Sequence, residues 1–134
     1  MSPDARFDRV LDSYAWVEYF RGTDAGRTVA EELASGLVGT PLVVVAELHD
    51  KYVRERVPDW SKDLAYIKET TALLPEDEGI AVRAGETKNR MRAGGRRDFG
   101  LIDGILLETA RALDAVLVTG DPHFRGLRDV TFLE

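Results

Sequence analysis

The chain has 134 residues with 18 basic and 24 acidic side chains, a formal net charge of −6 and a hydrophobic content of 44%. This length is typical of one domain, so we predict a single domain over residues 1–134 with enough apolar side chains for a buried core. The absence of cysteine excludes disulfides and zinc–thiolate sites. No apolar run approaches the ~20 residues of a membrane span, and the N-terminus lacks a signal-peptide core, so we expect a cytoplasmic protein without membrane contact.

Short apolar runs alternate with helical segments along the chain. The predicted strands cover residues 7–11, 42–45, 70–74, 115–119 and 130–133. The predicted helices cover residues 13–20, 26–33, 46–56, 60–68, 76–91 and 99–113, and residues 122–125 form a turn. Such alternation is typical of βαβ units, so the sequence predicts a three-layer α/β/α domain with a central parallel β-sheet.

Two acids close predicted strands. Asp12 follows the first strand, and Asp121 follows the apolar run at residues 115–120. Ligands of open parallel sheets bind outside the carboxyl ends of the strands, where acids from distant parts of the chain can meet. Such acids repel one another unless a cation neutralises them, so the pattern predicts a metal site. Each acid also has a structural alternative, because Asp12 could cap a helix and Asp121 precedes a proline in a predicted turn.

Two further acids have less common positions. Glu47 lies in the first turn of the helix predicted after the second strand, where the helix dipole favours an acid even without a ligand. Asp103 borders the apolar face of the predicted helix at residues 99–113. An unpaired carboxylate costs free energy there, so Asp103 should bind a metal or form a salt bridge with a nearby arginine.

The available residue types limit the choice of metal. His49 and His123 are the only histidines, and both are more typical of a surface or polar edge than of a catalytic base. Any metal should therefore be held mainly by oxygen, which favours Mg²⁺ or Mn²⁺.

The four acids lie in segments whose order and spacing resemble the PIN-domain family, the metal-dependent ribonucleases that include the VapC toxins. The segments are Leu11-Asp12-Ser13, Val45-Ala46-Glu47-Leu48, residues 101–110 and residues 116–124. The last segment resembles the family's hydrophobic strand followed by Thr-x-Asp. The chain departs from the family at Gly104 and Glu108, where alanine-like residues are usual, and Asp98 is a further acid that could replace Asp103 at the metal.

The resemblance implies a three-layer PIN-like fold and an endoribonuclease, the VapC-like toxin of a toxin–antitoxin pair. It would hydrolyse RNA phosphodiester bonds with a water activated by Mg²⁺ or Mn²⁺. The catalytic and metal-binding residues would be Asp12, Glu47, Asp103 and Asp121. Ser13 and Thr119 would hydrogen-bond these carboxylates or the substrate.

Positive charge is concentrated just before the helix that carries Asp103. The basic residues of this stretch are Lys88, Arg90, Arg92, Arg96 and Arg97. We predict that Arg90, Arg92, Arg96 and Arg97 bind RNA phosphates, and the alternative is a solvated face.

Two protein partners are expected besides RNA. The resemblance implies an antitoxin, although the chain itself does not identify one. The resemblance and one aromatic-rich helix also predict a homodimer, because tyrosine and tryptophan are enriched at interfaces. The aromatic residues are Tyr14, Trp16, Tyr19 and Phe20, and the alternative is that they pack in the core.

Three other functions are compatible with an α/β domain of this kind. One is a PIN-fold RNA-processing nuclease outside a toxin system. Another is a phosphotransfer domain, although Asp12-Ser13-Tyr14 lacks the Asp-x-Asp pair of the phosphatases. The third is a non-catalytic binding module on a similar fold, since a fold does not determine a function.

Overall fold

A five-stranded parallel β-sheet forms the centre of the protein in the computed structural model, which describes residues 6–134. Its strands are β1 (Arg9–Leu11), β2 (Val38–Pro41), β3 (Ala72–Leu74), β4 (Val116–Thr119) and β5 (Val130–Phe132). They lie in the order β3-β2-β1-β4-β5, and every neighbouring pair is parallel. The chain builds outward from β1 through β2 to β3 and then returns to the other side of β1. This reversal creates a switch point between β1 and β4, the usual place for a ligand site in such sheets.

Helices connect the first four strands and pack around the sheet. They are α1 (Ser13–Arg21), α2 (Asp24–Ala34), α3 (Leu42–Glu55), α4 (Trp60–Thr70), α5 (Glu78–Ala93) and α6 (Leu101–Ala112). A 3₁₀ turn spans Pro122–Phe124. Among residues 6–134, no helix is both long and apolar enough to cross a membrane. The predicted α/β architecture around a central parallel sheet is confirmed.

The sheet is buried because its strands carry apolar side chains on both faces. Val10, Leu11, Leu117 and Val118 are all fully buried. Parallel strands covered by helices on both faces are expected to have this composition. The core therefore holds β1 and β4 firmly in place. The residues that directly follow these strands are attached to a rigid part of the protein.

Helices α5 and α6 approach each other closely at one glycine. A Cβ on Gly104 would lie only 2.6 Å from the carbonyl oxygen of Ala84. Any larger residue at position 104 would push the two helices apart. The departure from the family pattern at Gly104 thus has a packing reason.

The predicted strand at residues 42–45 is wrong. The second strand is Val38–Pro41, and Leu42 is already the first residue of α3. In this helix Val44, Leu48 and Tyr52 are buried at intervals of four residues, whereas Leu42 is 49% exposed. The apolar run therefore contributes one helical face to the core, which a four-residue window cannot distinguish from a buried strand.

The aromatic residues of α1 mostly pack inside the protein. Trp16 is fully buried, and its indole N–H donates to Thr40 Oγ1 at 3.1 Å. Tyr19 and Phe20 are partly buried and pack against the ring of Tyr66. These contacts remove the aromatic content of α1 as an argument for a homodimer, which stays a prediction.

Candidate active site

Asp12 lies at the carboxyl end of β1, beside the end of β4. The register pairs Leu11 with Val118, so the next residues, Asp12 and Thr119, are neighbours. One Asp12 carboxylate oxygen accepts a short hydrogen bond from the Thr119 hydroxyl. The other accepts from the Ala15 N–H at 2.9 Å. Asp12 therefore caps α1 and also lies at the switch point, so its two alternative roles are compatible.

Asp121 is oriented by the residues immediately before and after it. Its N–H donates to the Thr119 hydroxyl at 3.0 Å, and its carboxylate accepts from the His123 N–H at 2.9 Å. Between Thr119 and Asp121, a Cβ on Gly120 would lie 2.1 Å from the Tyr14 ring. Only glycine leaves room for that ring, so the whole Thr-Gly-Asp segment is constrained.

Asp103 lies in the first turn of α6 and faces the same site. Its Oδ2 accepts from the Gly100 N–H at 2.7 Å and lies 2.8 Å from Nδ1 of His123. The arginine salt bridge considered as an alternative for Asp103 does not form among the described residues. The partner of Asp103 is instead an imidazole.

Glu47 extends from α3 toward this group. Leu42 is the first residue of α3, so Glu47 belongs to the second turn, where the helix dipole has little effect. Its Oε1 is buried and has no hydrogen-bond partner within residues 6–134. A buried carboxylate oxygen without a donor is costly, which favours a ligand for Glu47 over a purely structural role.

Burial and mutual repulsion make the acids reluctant to ionise. Burial raises the pKa of Asp12 to about 7, although hydrogen bonds from Thr119 and Ala15 oppose the shift. Burial likewise raises the pKa of Glu47 and the pKa of Asp103. The charge of the Asp121 carboxylate raises the pKa of all three. The protein thus gathers negative charge here without neutralising it, as expected for a cation site.

Three possible metal ligands lie especially close together. One ligand atom each from Asp103, Asp121 and His123 can be chosen so that all lie within 4.8 Å of one another. Asp12 and Glu47 lie outside this trio, although the charge of Asp121 raises the pKa of both. Sequence reasoning missed His123 as a member of the site. Its position in the turn two residues after a strand-end acid is the signal that could have identified it.

Comparison with known proteins agrees with this geometry. A family model described as the PIN domain matches residues 9–130. The chain belongs to the PIN-domain family. The resemblance inferred from the four acid-bearing segments is therefore confirmed, whereas no curated protein matches the chain in sequence.

Several solved structures share the fold of this PIN domain. A toxin–antitoxin complex from Klebsiella pneumoniae matches with a TM-score of 0.77 and 17% identity, covering 95% of this chain and 98% of the other. VapBC2 from Rickettsia felis, bound to promoter DNA, matches with a TM-score of 0.70 and 16% identity, covering 96% and 100%. VapC20 from Mycobacterium tuberculosis, a toxin that cleaves the sarcin–ricin loop, matches with a TM-score of 0.68 and 18% identity, covering 92% and 98%. At these identities the likeness establishes the fold.

Two additional acids of the PIN domain lie outside the candidate site. Asp98 is exposed in the loop before α6 and is not part of the close trio. Glu108 is buried between α5 and α6, where it accepts from the Thr87 hydroxyl at 2.8 Å and from Arg111 at 3.0 Å. Arg83 lies 3.7 Å from its other oxygen. Glu108 therefore connects the two helices.

Three of the four arginines predicted to bind RNA already have partners within the PIN domain. Arg96 donates to the carbonyl oxygens of His123 at 3.2 Å and Arg125 at 2.8 Å, which holds the turn after Asp121. Arg92 donates to the Phe99 carbonyl at 2.7 Å, and Arg90 donates to a threonine hydroxyl on α5 at 3.0 Å. Arg97 is exposed and makes no hydrogen bond or ion pair with the described part of the chain.

Two open grooves border residues of the candidate site. One has a volume of about 360 Å³ and is lined by Arg96, Arg97, Phe99 and His123 among others. The other has a volume of about 410 Å³ and is lined by Ser13, Glu47, Lys51, Arg54 and Ile102 among others. Both grooves combine cationic and apolar side chains next to a residue of the candidate site.

Proposed function

We propose that this PIN domain is a metal-dependent endoribonuclease and acts as the VapC-like toxin of a toxin–antitoxin pair. The observation that carries the proposal is the uncompensated group of acids at the β1–β4 switch point. Membership of a nuclease family and the exposed Arg97 in the groove beside His123 also support it. All four predicted acids, Asp12, Glu47, Asp103 and Asp121, belong to the proposed site.

The side chains fit a hard divalent cation. Carboxylate oxygens predominate, and they suit Mg²⁺ or Mn²⁺. Asp103 and Asp121 lie within the close trio, and Glu47 supplies a buried oxygen that has no hydrogen-bond partner among residues 6–134. Asp12 lies near Asp121 and would add negative charge when it is ionised. When bound, the metal would lower the pKa of a water molecule and stabilise the charge on the phosphoryl oxygens.

Neighbouring residues orient these acids. Thr119 donates to Asp12 and accepts from the backbone of Asp121, and the Gly100 N–H fixes Asp103. Ser13 lowers the pKa of Glu47 by hydrogen bonding to it, opposing the effect of burial. We propose that Thr119 and Ser13 thereby support the metal-binding carboxylates.

An RNA strand would cross the acids from one groove to the other. We propose Arg90, Arg92, Arg96 and Arg97 as the phosphate-contacting residues on one side, with Arg97 the most available because its guanidinium is exposed. In the second groove, Lys51 and Arg54 would have to leave their ion pairs with Glu55 and Asp50 to contact a phosphate. Cations beside an acidic centre would place a phosphate beside the metal while the net charge of the chain stays negative.

Cleavage of a single-stranded RNA by the purified protein tests this proposal. We expect cleavage with Mn²⁺ or Mg²⁺, none with EDTA, and a loss of at least a hundredfold in Asp103→Asn, as is usual for a group that acts on the reacting centre. Asp98→Asn is the matched control, because Asp98 is an exposed acid five residues earlier, and it should retain activity. Equal activity of Asp103→Asn and wild type would refute the proposed site.

The toxin role requires a separate test in cells. The proposal of an antitoxin partner comes from the toxin–antitoxin neighbours, and that of a homodimer from the family resemblance. Induced expression should arrest growth, Asp103→Asn should not, and the product of a small adjacent gene should relieve the arrest. RNA cleavage without growth arrest would instead favour an RNA-processing nuclease.

Light scattering of the purified protein at micromolar concentration tests the proposed homodimer. A mass of one chain would contradict it.

A further inference from the structure

We propose that His123 is a nitrogen ligand of the metal, so that the site prefers Mn²⁺ to Mg²⁺. This inference rests on the proposed function, because it concerns the same metal. It departs from the expectation of an essentially all-oxygen site, and it gives His123 a role beyond that of a polar surface residue.

The position of the imidazole carries the inference. His123 Nδ1 lies 2.8 Å from Asp103 Oδ2 and 3.5 Å from Asp121 Oδ1. Neighbouring ligands of an octahedral ion bound at about 2.1 Å are separated by about 3 Å, so both distances fit a shared ion. A single N–H at Nδ1 can donate to only one of the two carboxylates, whereas an ion bound by Nδ1 would be within reach of both.

The backbone holds this ring in place from both sides. The His123 N–H donates to Asp121 at 2.9 Å, and its carbonyl accepts from Arg96 at 3.2 Å. The next residue, Phe124, is fully buried against Phe99. The 3₁₀ turn therefore presents the imidazole to the acids without a large loss of conformational entropy on metal binding. A residue so constrained is suited to ligation.

The chemistry of imidazole determines the consequence. Both Mn²⁺ and Mg²⁺ bind well to carboxylates. Mg²⁺ is the harder ion and strongly favours oxygen, whereas Mn²⁺, a first-row transition metal, accepts an imidazole nitrogen more readily. Asp103 and Asp121 would bind either ion, but the nitrogen would add affinity mainly for Mn²⁺. The alternative is that His123 only donates a hydrogen bond to Asp103 and positions it, which would leave the preference between the two ions unchanged.

Pulsed electron paramagnetic resonance of the full chain loaded with Mn²⁺ distinguishes these roles. The wild-type protein should show the coupling of a directly bound nitrogen, and labelling histidine with ¹⁵N should change that coupling. His49 is the only other histidine, and it is exposed on α3 against Trp60. The signal should therefore persist in His49→Asn and disappear in His123→Asn.

Metal titration gives a second measurement. Asparagine can still donate a hydrogen bond to Asp103 but is a poor ligand for Mn²⁺, so His123→Asn should lower Mn²⁺ affinity by about tenfold or more and Mg²⁺ affinity much less. Calorimetry with each ion alone measures both values, and His49→Asn should match the wild type.

The possible failures are distinguishable. Mn²⁺ binding without nitrogen coupling, or an unchanged Mn²⁺/Mg²⁺ preference in His123→Asn, would overturn the inference and leave the proposed function standing. Failure of the wild type to bind Mn²⁺ at all would overturn both. If His123→Asn did not fold, the isotope comparison on wild-type protein alone would decide the question.

Discussion

Two partly or fully buried carboxylates of α6 have opposite surroundings. Glu108 is paired with Thr87, Arg111 and Arg83, so its charge is compensated by the protein. Asp103, one and a half turns earlier, faces other acids and a single imidazole. Burial alone therefore does not mark a functional acid. The informative difference is whether nearby protein groups neutralise the buried charge.

The largest effect on stability should come from removing the compensated acid. Glu108→Ala would leave the Thr87 hydroxyl and Arg111 without their partner, so we expect a loss of about 3 kcal/mol in the free energy of unfolding. Mn²⁺ binding should be retained. Urea unfolding measures the change, and Glu86→Ala, an exposed acid of α5, is the matched control. A loss of metal affinity without a loss of stability would place Glu108 in the site after all.

The uncompensated acids should make the metal-free protein less stable as pH rises. The pKa of Asp12 is raised to about 7, so the native state binds its proton more tightly than the unfolded chain does. Stability should therefore fall as the pH rises from about 4 to about 7, because the unfolded chain loses this proton at the lower pH and the native state only at the higher one. Thermal melting in EDTA across this range measures the slope. Asp12→Asn should flatten it, and a slope unchanged by that substitution would assign it to other groups.

A smaller gain should follow from neutralising Glu47. Glu47→Gln removes the charge of a carboxylate whose buried Oε1 has no donor in the described part of the chain, so the metal-free protein should be stabilised by about 1 kcal/mol. Mn²⁺ affinity should fall at the same time. Melting measures the stability of the metal-free variant, which should rise, and calorimetry on the same samples measures its Mn²⁺ affinity, which should fall. A destabilised variant with unchanged affinity would mean that Glu47 is structural.

The smallest expected effect is on RNA binding, and it concerns the adjacent residues Arg96 and Arg97. Arg97→Ala should lower the slope of log affinity for RNA against log salt by roughly 0.7, the amount for one phosphate contact to a single strand. It should leave melting unchanged because Arg97 is exposed. Arg96→Ala should also flatten the salt dependence, but it should lower stability as well, since Arg96 donates to two carbonyls of the turn at residues 122–125. RNA titration at several salt concentrations measures the slopes, and thermal melting distinguishes the two arginines. An unchanged slope in Arg97→Ala would contradict its phosphate contact.

The sequence was sufficient to place the acids but not to describe their environment. Asp12 and Asp121 follow apolar strands, and parallel topology then requires them to lie at one edge of the sheet. The error at residues 42–45 arose because β2 contains Gly39 and Pro41, which are weak strand formers, while the next four residues are apolar. Local patterns cannot show which of two adjacent segments the tertiary packing selects.

Side-chain partnerships were the least predictable part. Glu108 and Asp103 lie on one helix, and only the packing of α5 shows that Glu108 faces arginines. His123 joins the site because the turn after Asp121 bends back toward α6, a path that the sequence of that turn does not specify. The hydrogen bonds from Arg96 to two backbone carbonyls likewise join residues that are far apart in the sequence.

The Thr119 hydroxyl is hydrogen-bonded to both strand-end acids of the site. It donates to Asp12 and accepts from the backbone of Asp121, so one oxygen atom sets the position of acids that are 109 residues apart in the chain. A sliding of β4 against β1 would displace both acids together. Serine at position 119 could keep both bonds, whereas valine would break both with almost the same shape. The spacing of the two acids is thus tied to the register of the sheet.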